Sequence, residues 1–186
     1  MSIARSRTPA LQTGSSLLEV LVAILIISFG LLALGGLTAV NQQHVKMTQF
    51  QSIGVQLASE LGERMRGNVT AFELGAYNKT TVYASAEVEV PACSVTPCSP
   101  ADIAARDIAQ WTNTLRQSLP GGDAFVQRDP VNPLATDIWV IWIDPDLRDT
   151  GGSDGSVASA ADCPAGAVTG LAATIRPRCM HYRISL

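Results

Sequence analysis

Four cysteines are the residues of this chain best suited to covalent chemistry, and all of them follow a long apolar stretch: Cys93, Cys98, Cys163 and Cys179. An even number of cysteines permits two disulfides in an oxidising compartment, and four cysteines allow three pairings. The pairing of Cys93 with Cys98 and of Cys163 with Cys179 is favoured, because each pair brackets a turn-rich stretch. Zinc is the competing use of four thiols, but only one pair is closely spaced, which favours disulfides over a metal site.

Oxygen ligands are concentrated in a loop rich in Asp, Gly and Ser at residues 144–162, which contains Asp144, Asp146, Asp149 and Asp154. These carboxylates suggest calcium, but their spacing departs from the EF-hand pattern and no terminal glutamate follows, so a solvated surface loop is the favoured interpretation. The two histidines, His44 and His181, are too few and too far apart to suggest a zinc site. The common hydrolase, metalloprotease and phosphate-loop motifs are missing from the sequence. We therefore expect no catalytic residues, no bound metal and no cofactor.

One carboxylate, Glu19, stands inside an apolar run that covers residues 17–40. From residue 20 to residue 40 the sequence VLVAILIISFGLLALGGLTAV carries no charge. About twenty such residues in a helix cross a hydrocarbon core of about 30 Å, so this segment is predicted to span a membrane. An unpaired charge inside the membrane costs at least about 2.5 to 3.5 kcal/mol on insertion scales. Glu19 therefore either reaches interfacial water or finds a counter-charge.

The charges that flank the apolar run predict its orientation. Arg5 and Arg7 precede it without any acidic residue, so the N-terminus is expected in the cytoplasm and the rest of the chain on the far side of the membrane. A secretory signal would have a shorter apolar stretch and a small-residue cleavage site, and this alternative is disfavoured. The formal net charge of −3 also disfavours a general nucleic-acid binder.

The helical pattern continues beyond the membrane segment. Apolar residues recur every three or four positions, as one face of an amphipathic helix requires: Met47, Phe50, Gly54, Leu57, Leu61 and Met65. Glu60 and Arg64 are placed to pair across one turn, and Gly67 followed by Asn68 is a stop signal. We predict one long helix over residues 15–68, with weak points at Gly30, Gly35 and Gly36, and we expect local bending or melting at Gly35–Gly36.

Residues 69–186 are predicted to form a domain of mixed secondary structure. Strands are expected at residues 80–90, 124–128, 138–143 and 180–186, from the alternation of apolar and polar residues. Ser99, Pro100 and Asp102 form a helix start, and the helix is expected to continue to about Leu119. Antiparallel strands packed on the second half of a long helix give an α+β fold.

The start of the chain resembles the type IV prepilin signal. The sequence GSSLLEVLVAILII has the glycine, the glutamate five positions later and the unbroken apolar helix of that family, behind a basic leader. The resemblance implies that residues 1–14 are a leader, that prepilin peptidase cuts between Gly14 and Ser15, and that Ser15 becomes N-methylated. Ser15 departs from the Phe or Met that is usual at this position. In a filament, Glu19 is then expected to pair with the N-terminal ammonium of a neighbouring subunit.

Three stretches after the apolar segment narrow the resemblance from type IV prepilins in general to one family. The stretches LASELGERMRGN, DIAQWTNTLRQSLPGG and VIWID are similar to minor pilins of the PilV family, the type IV pilus modification proteins. This resemblance implies a pilin-like fold and a subunit that supports pilus assembly, twitching motility and adhesion. The implied partners are the major pilin, other minor pilins, prepilin peptidase and the inner-membrane assembly platform. The implied location is the inner membrane and then the pilus at the cell surface.

Two other functions stay open at this point. A pseudopilin of a type II secretion system shares the same N-terminal mechanism, so residues 14–40 do not distinguish it from a pilus subunit. A membrane-anchored periplasmic binding protein or enzyme would keep its N-terminal helix uncleaved, and an intact Met1 in the mature protein would support it.

Overall fold

The computed structural model describes residues 17–143, 163–172 and 177–186. The chain divides into two units, Met1–Val45 and Lys46–Leu186. The first helix, α1 (Leu17–Gly67), contributes residues to both. It ends at the glycine that the sequence indicates as a stop signal, and a short helix α2 (Val69–Glu73) follows after Asn68.

The second unit combines helices with one antiparallel sheet. After α2 come helix α3 (Pro100–Ser118), strands β1 (Asp123–Arg128) and β2 (Ala135–Ile143), the short helix α4 (Ala165–Val168) and strand β3 (Pro177–Ser185). The sheet order is β1-β2-β3, with Asp123 opposite Ile141 and Ile141 opposite Cys179. The predicted α+β class with a long N-terminal helix is thus confirmed.

The sheet has a core on each face because its strands alternate. One face packs in a large cluster with the second half of α1 and with α3, and its fully buried members include Leu61, Met65, Trp111, Leu115, Val140 and Trp142. The other face lies under α4, where the buried residues are Tyr83, Phe125, Ile141, Ala167 and Cys179. Fully burying one large apolar side chain contributes roughly 1.5 to 3 kcal/mol, so these two clusters are the main source of the domain's stability.

Helix α3 begins at the capping residues that the sequence indicates. The Ser99 Oγ accepts a hydrogen bond from the Asp102 backbone N–H at 3.1 Å, and the Asp102 carboxylate accepts one from the Ser99 backbone N–H at 3.2 Å. This reciprocal pair satisfies backbone donors that the first turn leaves open, and Pro100 in that turn has no donor to lose. The face of α3 that packs in the core includes Ala104, Trp111 and Leu115, which are fully buried.

The predicted strand at residues 80–90 is wrong. Only Lys79, one residue before it, makes a β-bridge, to Val126. The alternating apolar residues that suggested a buried face point outward, with Val82 45% exposed, whereas Tyr83 of the opposite parity is buried. Side chains and the α4 backbone hold this segment instead of a partner strand, and the Tyr83 N–H donates to the Ala167 carbonyl at 2.8 Å. Asp123 accepts from the Ala84 N–H at 2.9 Å, and Asn113 bonds both the N–H and the carbonyl of Val88.

Candidate membrane and assembly segment

The apolar part of α1 is exposed throughout. Every residue from 17 to 42 is solvent-exposed in the isolated chain, and large side chains such as Leu17 and Leu32 are 82% and 72% exposed. Soluble monomers rarely expose contiguous apolar patches of more than a few hundred Å². Within the described residues this is the one helix long and apolar enough to cross a membrane. The segment therefore has the surface of a membrane anchor rather than of a core helix.

The hydroxyl groups within this segment are satisfied by the helix itself. Ser28 Oγ donates to the Ile24 carbonyl at 2.7 Å, and Thr38 Oγ1 donates to the Gly35 carbonyl at 2.8 Å. A hydroxyl without a partner is costly in hydrocarbon, so these local bonds suit the segment to lipid or to a bundle of apolar helices.

Glu19 lies in the first turn of α1, where the helix dipole favours a negative charge. Among residues 17–40, all of which the structure describes, Glu19 is the one acidic residue. Gly14 and Ser15, the predicted processing residues, lie outside the described residues. The aspartates of the predicted acidic loop, Asp144, Asp146, Asp149 and Asp154, lie outside them as well.

The second unit, Lys46–Leu186, contains two disulfides, in the sequence-local pairing that the cysteine positions favour. The first joins Cys93 to Cys98 in the loop before α3, and the second joins Cys163, just before α4, to Cys179 in β3. The second bond ties α4 to the sheet face that it covers. Across the described ranges, no group of three or more His, Cys, Asp or Glu residues is arranged to hold a metal ion.

A buried ionic cluster lies at the start of β1. Asp123 is fully buried, and its Oδ1 is 2.8 Å from Lys79 Nζ and 3.5 Å from Arg116 Nη2. Arg116 Nη2 also donates to the Ala84 carbonyl at 2.7 Å. The cluster fixes residues 79–84 against β1 and α3. Nothing in the local sequence distinguishes Asp123 from a surface aspartate after a Gly-Gly turn, so sequence reasoning missed it.

A second network joins α1 to α3. Arg64 bridges Glu60 at 2.7 Å, as predicted, and Asp107 at 3.0 Å. Tyr77 donates its phenolic hydrogen to Asp107 Oδ2 at 2.8 Å. Burial raises the pKa of Tyr77 to about 12, and the hydrogen bond to Asp107 adds to the shift. The network places the second half of α1 relative to α3.

On the sheet face that α4 covers in part, the exposed end carries a row of paired charges beside an aromatic ring. His181 Nε2 lies 2.8 Å from Asp137 Oδ1, and Arg183 bonds both Asp137 oxygens at 3.2 Å and also pairs with Asp129. The His181 ring lies 4.7 Å from the Trp139 ring, centroid to centroid. These charged groups pair with one another across neighbouring strands, as expected for the solvated part of a sheet face.

No protein-family model, no curated protein and no solved structure matches this chain. The functional interpretation therefore rests on the residues and contacts of the chain itself. Its chemically distinctive features are the exposed apolar segment with Glu19 and the two disulfides of the second unit.

Proposed function

We propose that this chain is a minor pilin of a type IV pilus, of the PilV type. Prepilin peptidase processes it between Gly14 and Ser15 and methylates Ser15, and the mature subunit joins the filament or the complex that primes its assembly. There it supports assembly, twitching motility and adhesion. The observation that carries the proposal is a fully exposed apolar helix with one carboxylate in its first turn, joined to a disulfide-bearing domain.

The apolar segment can move from one apolar environment, the lipid of the membrane, to another, the packed helices of the filament. In the inner membrane, lipid covers its side chains, and the domain lies on the periplasmic side. In the filament, the same side chains pack against helices of the major pilin and of other minor pilins, so leaving the membrane exposes little apolar surface to water. The assembly platform in the inner membrane carries out that transfer.

Glu19 sets how the helix of one subunit aligns with the helix of its neighbour in the filament. Cleavage creates an ammonium group at Ser15, and the ammonium of one subunit pairs with the Glu19 carboxylate of its neighbour. Both groups are costly to bury alone, and removing one partner of a buried pair costs roughly 3 to 5 kcal/mol. Subunits docked one turn out of register would leave both charges without a counter-charge, so the pair selects one alignment.

The test compares Glu19→Gln with Glu63→Gln, a matched change at an exposed position of the same helix, where the side chain is 70% exposed. Both variants should insert into the membrane at the wild-type level. Glu19→Gln should lower the amount of subunit in sheared pili at least tenfold, and Glu63→Gln should leave it unchanged. Equal incorporation of both variants would contradict docking by charge pairing.

The mature N-terminus tests processing separately. Mass spectrometry of protein from cells that contain prepilin peptidase should find a chain that begins at Ser15, with one added methyl group. Recovery of Met1 alone would support a membrane-anchored binding protein or enzyme. A processed chain whose loss abolishes protein secretion but leaves twitching intact would identify a type II secretion pseudopilin.

A further inference from the structure

The two disulfides differ in the surroundings of their sulfur atoms. Cys179 is fully buried in the apolar cluster with Phe125, Ile141 and Ala167. Cys93 and Cys98 are both partly exposed. The Arg106 guanidinium lies beside that bond, with its Nη1 donating to Cys93 Sγ at 3.7 Å. One disulfide thus has a cation at one of its sulfurs, and the other has a sulfur enclosed by hydrocarbon.

This difference decides how each bond reacts with a thiol. In thiol–disulfide exchange a thiolate attacks one sulfur and expels the other as a thiolate, and exchange is faster when the leaving thiol has a lower pKa. A guanidinium stabilises a thiolate, and apolar burial destabilises one. Attack on Cys98 expels Cys93 next to Arg106. Attack on Cys163 expels Cys179 into the apolar cluster, and direct attack on Cys179 is blocked by burial.

We propose that the Cys93–Cys98 disulfide is an exchange site for a dithiol, such as the active-site pair of a thiol oxidoreductase, with Cys98 as the attacked sulfur and Cys93 as the leaving group. The first thiolate of the dithiol bonds to Cys98 as the Cys93–Cys98 bond breaks, and the electron pair leaves on Cys93. The second thiolate of the dithiol then attacks the sulfur bonded to Cys98 and releases Cys98. The dithiol is oxidised to a disulfide, and its two protons end on Cys93 and Cys98.

Reduction at this site changes a defined part of the domain. The loop closed by the disulfide holds Ser94, whose hydroxyl donates to the Asp102 carboxylate at 2.7 Å, and it leads directly into the Ser99 cap of α3. Opening the bond frees the loop from the start of α3, while the Cys163–Cys179 bond still ties α4 to the sheet. The inference does not depend on assembly into a pilus.

Selective reduction is the first test. The full-length oxidised protein in detergent is titrated with dithiothreitol without denaturant, and free thiols are alkylated and mapped by mass spectrometry. Alkylation of Cys93 and Cys98 should be complete at a dithiothreitol concentration at least tenfold below that which exposes Cys163 and Cys179. Simultaneous reduction of both bonds, or earlier reduction of Cys163–Cys179, would overturn the proposal.

The second test measures which of the two sulfurs, Cys93 or Cys98, a thiol attacks, and it uses the wild-type protein. Glutathione, a monothiol, should form a mixed disulfide on Cys98 and leave Cys93 available for alkylation. Both cysteines lie in the tryptic peptide of residues 80–106, so fragmentation distinguishes them. A predominance of glutathione on Cys93 would contradict the assignment of the leaving group.

The third test asks whether the Arg106 guanidinium assists exchange by stabilising the Cys93 thiolate. Arg106→Gln should slow reduction of the Cys93–Cys98 bond by about threefold or more and weaken the preference for glutathione on Cys98. Arg66→Gln, which removes an exposed guanidinium paired with Glu63 on α1, is the matched control and should leave both readouts unchanged. An unchanged rate and adduct position in Arg106→Gln would show that the guanidinium does not assist exchange.

Discussion

The Asp123 carboxylate and the Lys79 ammonium lie 2.8 Å apart at the start of β1, with the carboxylate fully buried and the Lys79 side chain 12% exposed. Lys79 Nζ also donates to the Ala124 carbonyl at 2.8 Å. This pair anchors a segment without regular secondary structure to the edge of the sheet.

Asp123→Asn should destabilise the domain strongly. The substitution leaves the buried cations of Lys79 and Arg116 without their counter-charge, and removing one partner of a buried pair costs roughly 3 to 5 kcal/mol. Denaturant unfolding measures the effect, with Glu63→Gln as the control, because its exposed pair with Arg66 should contribute less than about 1 kcal/mol. Equal losses in the two variants would show that the burial of Asp123 does not matter.

Gly122→Ala should destabilise the domain, and Gly67→Ala should not. A Cβ atom added to Gly122 would lie 2.3 Å from the backbone carbonyl oxygen of Leu115, which cannot rotate away, whereas one added to Gly67 meets nothing within 4 Å. Overpacking of this kind costs roughly 1 to 3 kcal/mol, and alanine at a helical glycine gains up to about 1 kcal/mol. Thermal unfolding of both variants checks the prediction, and a stable Gly122→Ala would contradict this close approach.

Stability should fall at alkaline pH between about 10 and 12. Burial and the hydrogen bond to Asp107 raise the pKa of Tyr77 to about 12, and burial raises the pKa of Tyr182 to about 12 as well. A folded-state pKa above the unfolded value of about 10 stabilises the fold below pH 10, and this contribution is lost as the pH rises towards 12. Melting temperatures from pH 8 to pH 12 measure the loss. Tyr77→Phe should flatten the pH profile, and an unchanged slope would argue against a titrating Tyr77.

In the proposed pilus subunit, the Gly35–Gly36 pair should matter for incorporation into the filament rather than for membrane insertion. Both residues are helical in α1, and glycine weakens a helix by about 1 kcal/mol relative to alanine. The double substitution of Gly35 and Gly36 by Ala should leave membrane insertion unchanged and reduce the amount of subunit in sheared pili. Gly30→Ala is the matched control within the same segment, and equal incorporation of both variants would show that local melting is not required.

The elements that the sequence predicts well are those specified by local chemistry. Helix α3 begins where Ser99, Pro100 and Asp102 place it, because a cap acts on its own first turn. The alternation of Met180, Tyr182 and Ile184 predicts which side chains at the end of β3 pack against the large core cluster, because successive side chains of a strand point to opposite faces. In both cases the residues that decide the structure are neighbours in sequence.

The features that the sequence does not predict depend on distant residues. Residues 80–90 alternate as a strand does, but Asn113 and Asp123, from other elements, bond their backbone. The buried state of Asp123 depends on Lys79 and Arg116, which are remote in sequence. The partner of Arg106 depends on a loop closed by a disulfide. Such arrangements are set by tertiary contacts, which residue periodicity does not encode.

The attachment of α1 within the domain has a mechanical consequence. Trp111 Nε1 donates to the Leu57 carbonyl at 2.8 Å, the Tyr77 hydroxyl oxygen lies 3.2 Å from the Arg64 carbonyl oxygen, and the Tyr182 hydroxyl lies beside Gly54. These contacts run through side chains rather than through a strand ladder. Tension applied to the second half of α1 would therefore load α3 through Trp111, the segment after α2 through Tyr77, and β3 through Tyr182. Pulling this half of the helix away from the domain would break contacts to three separate elements.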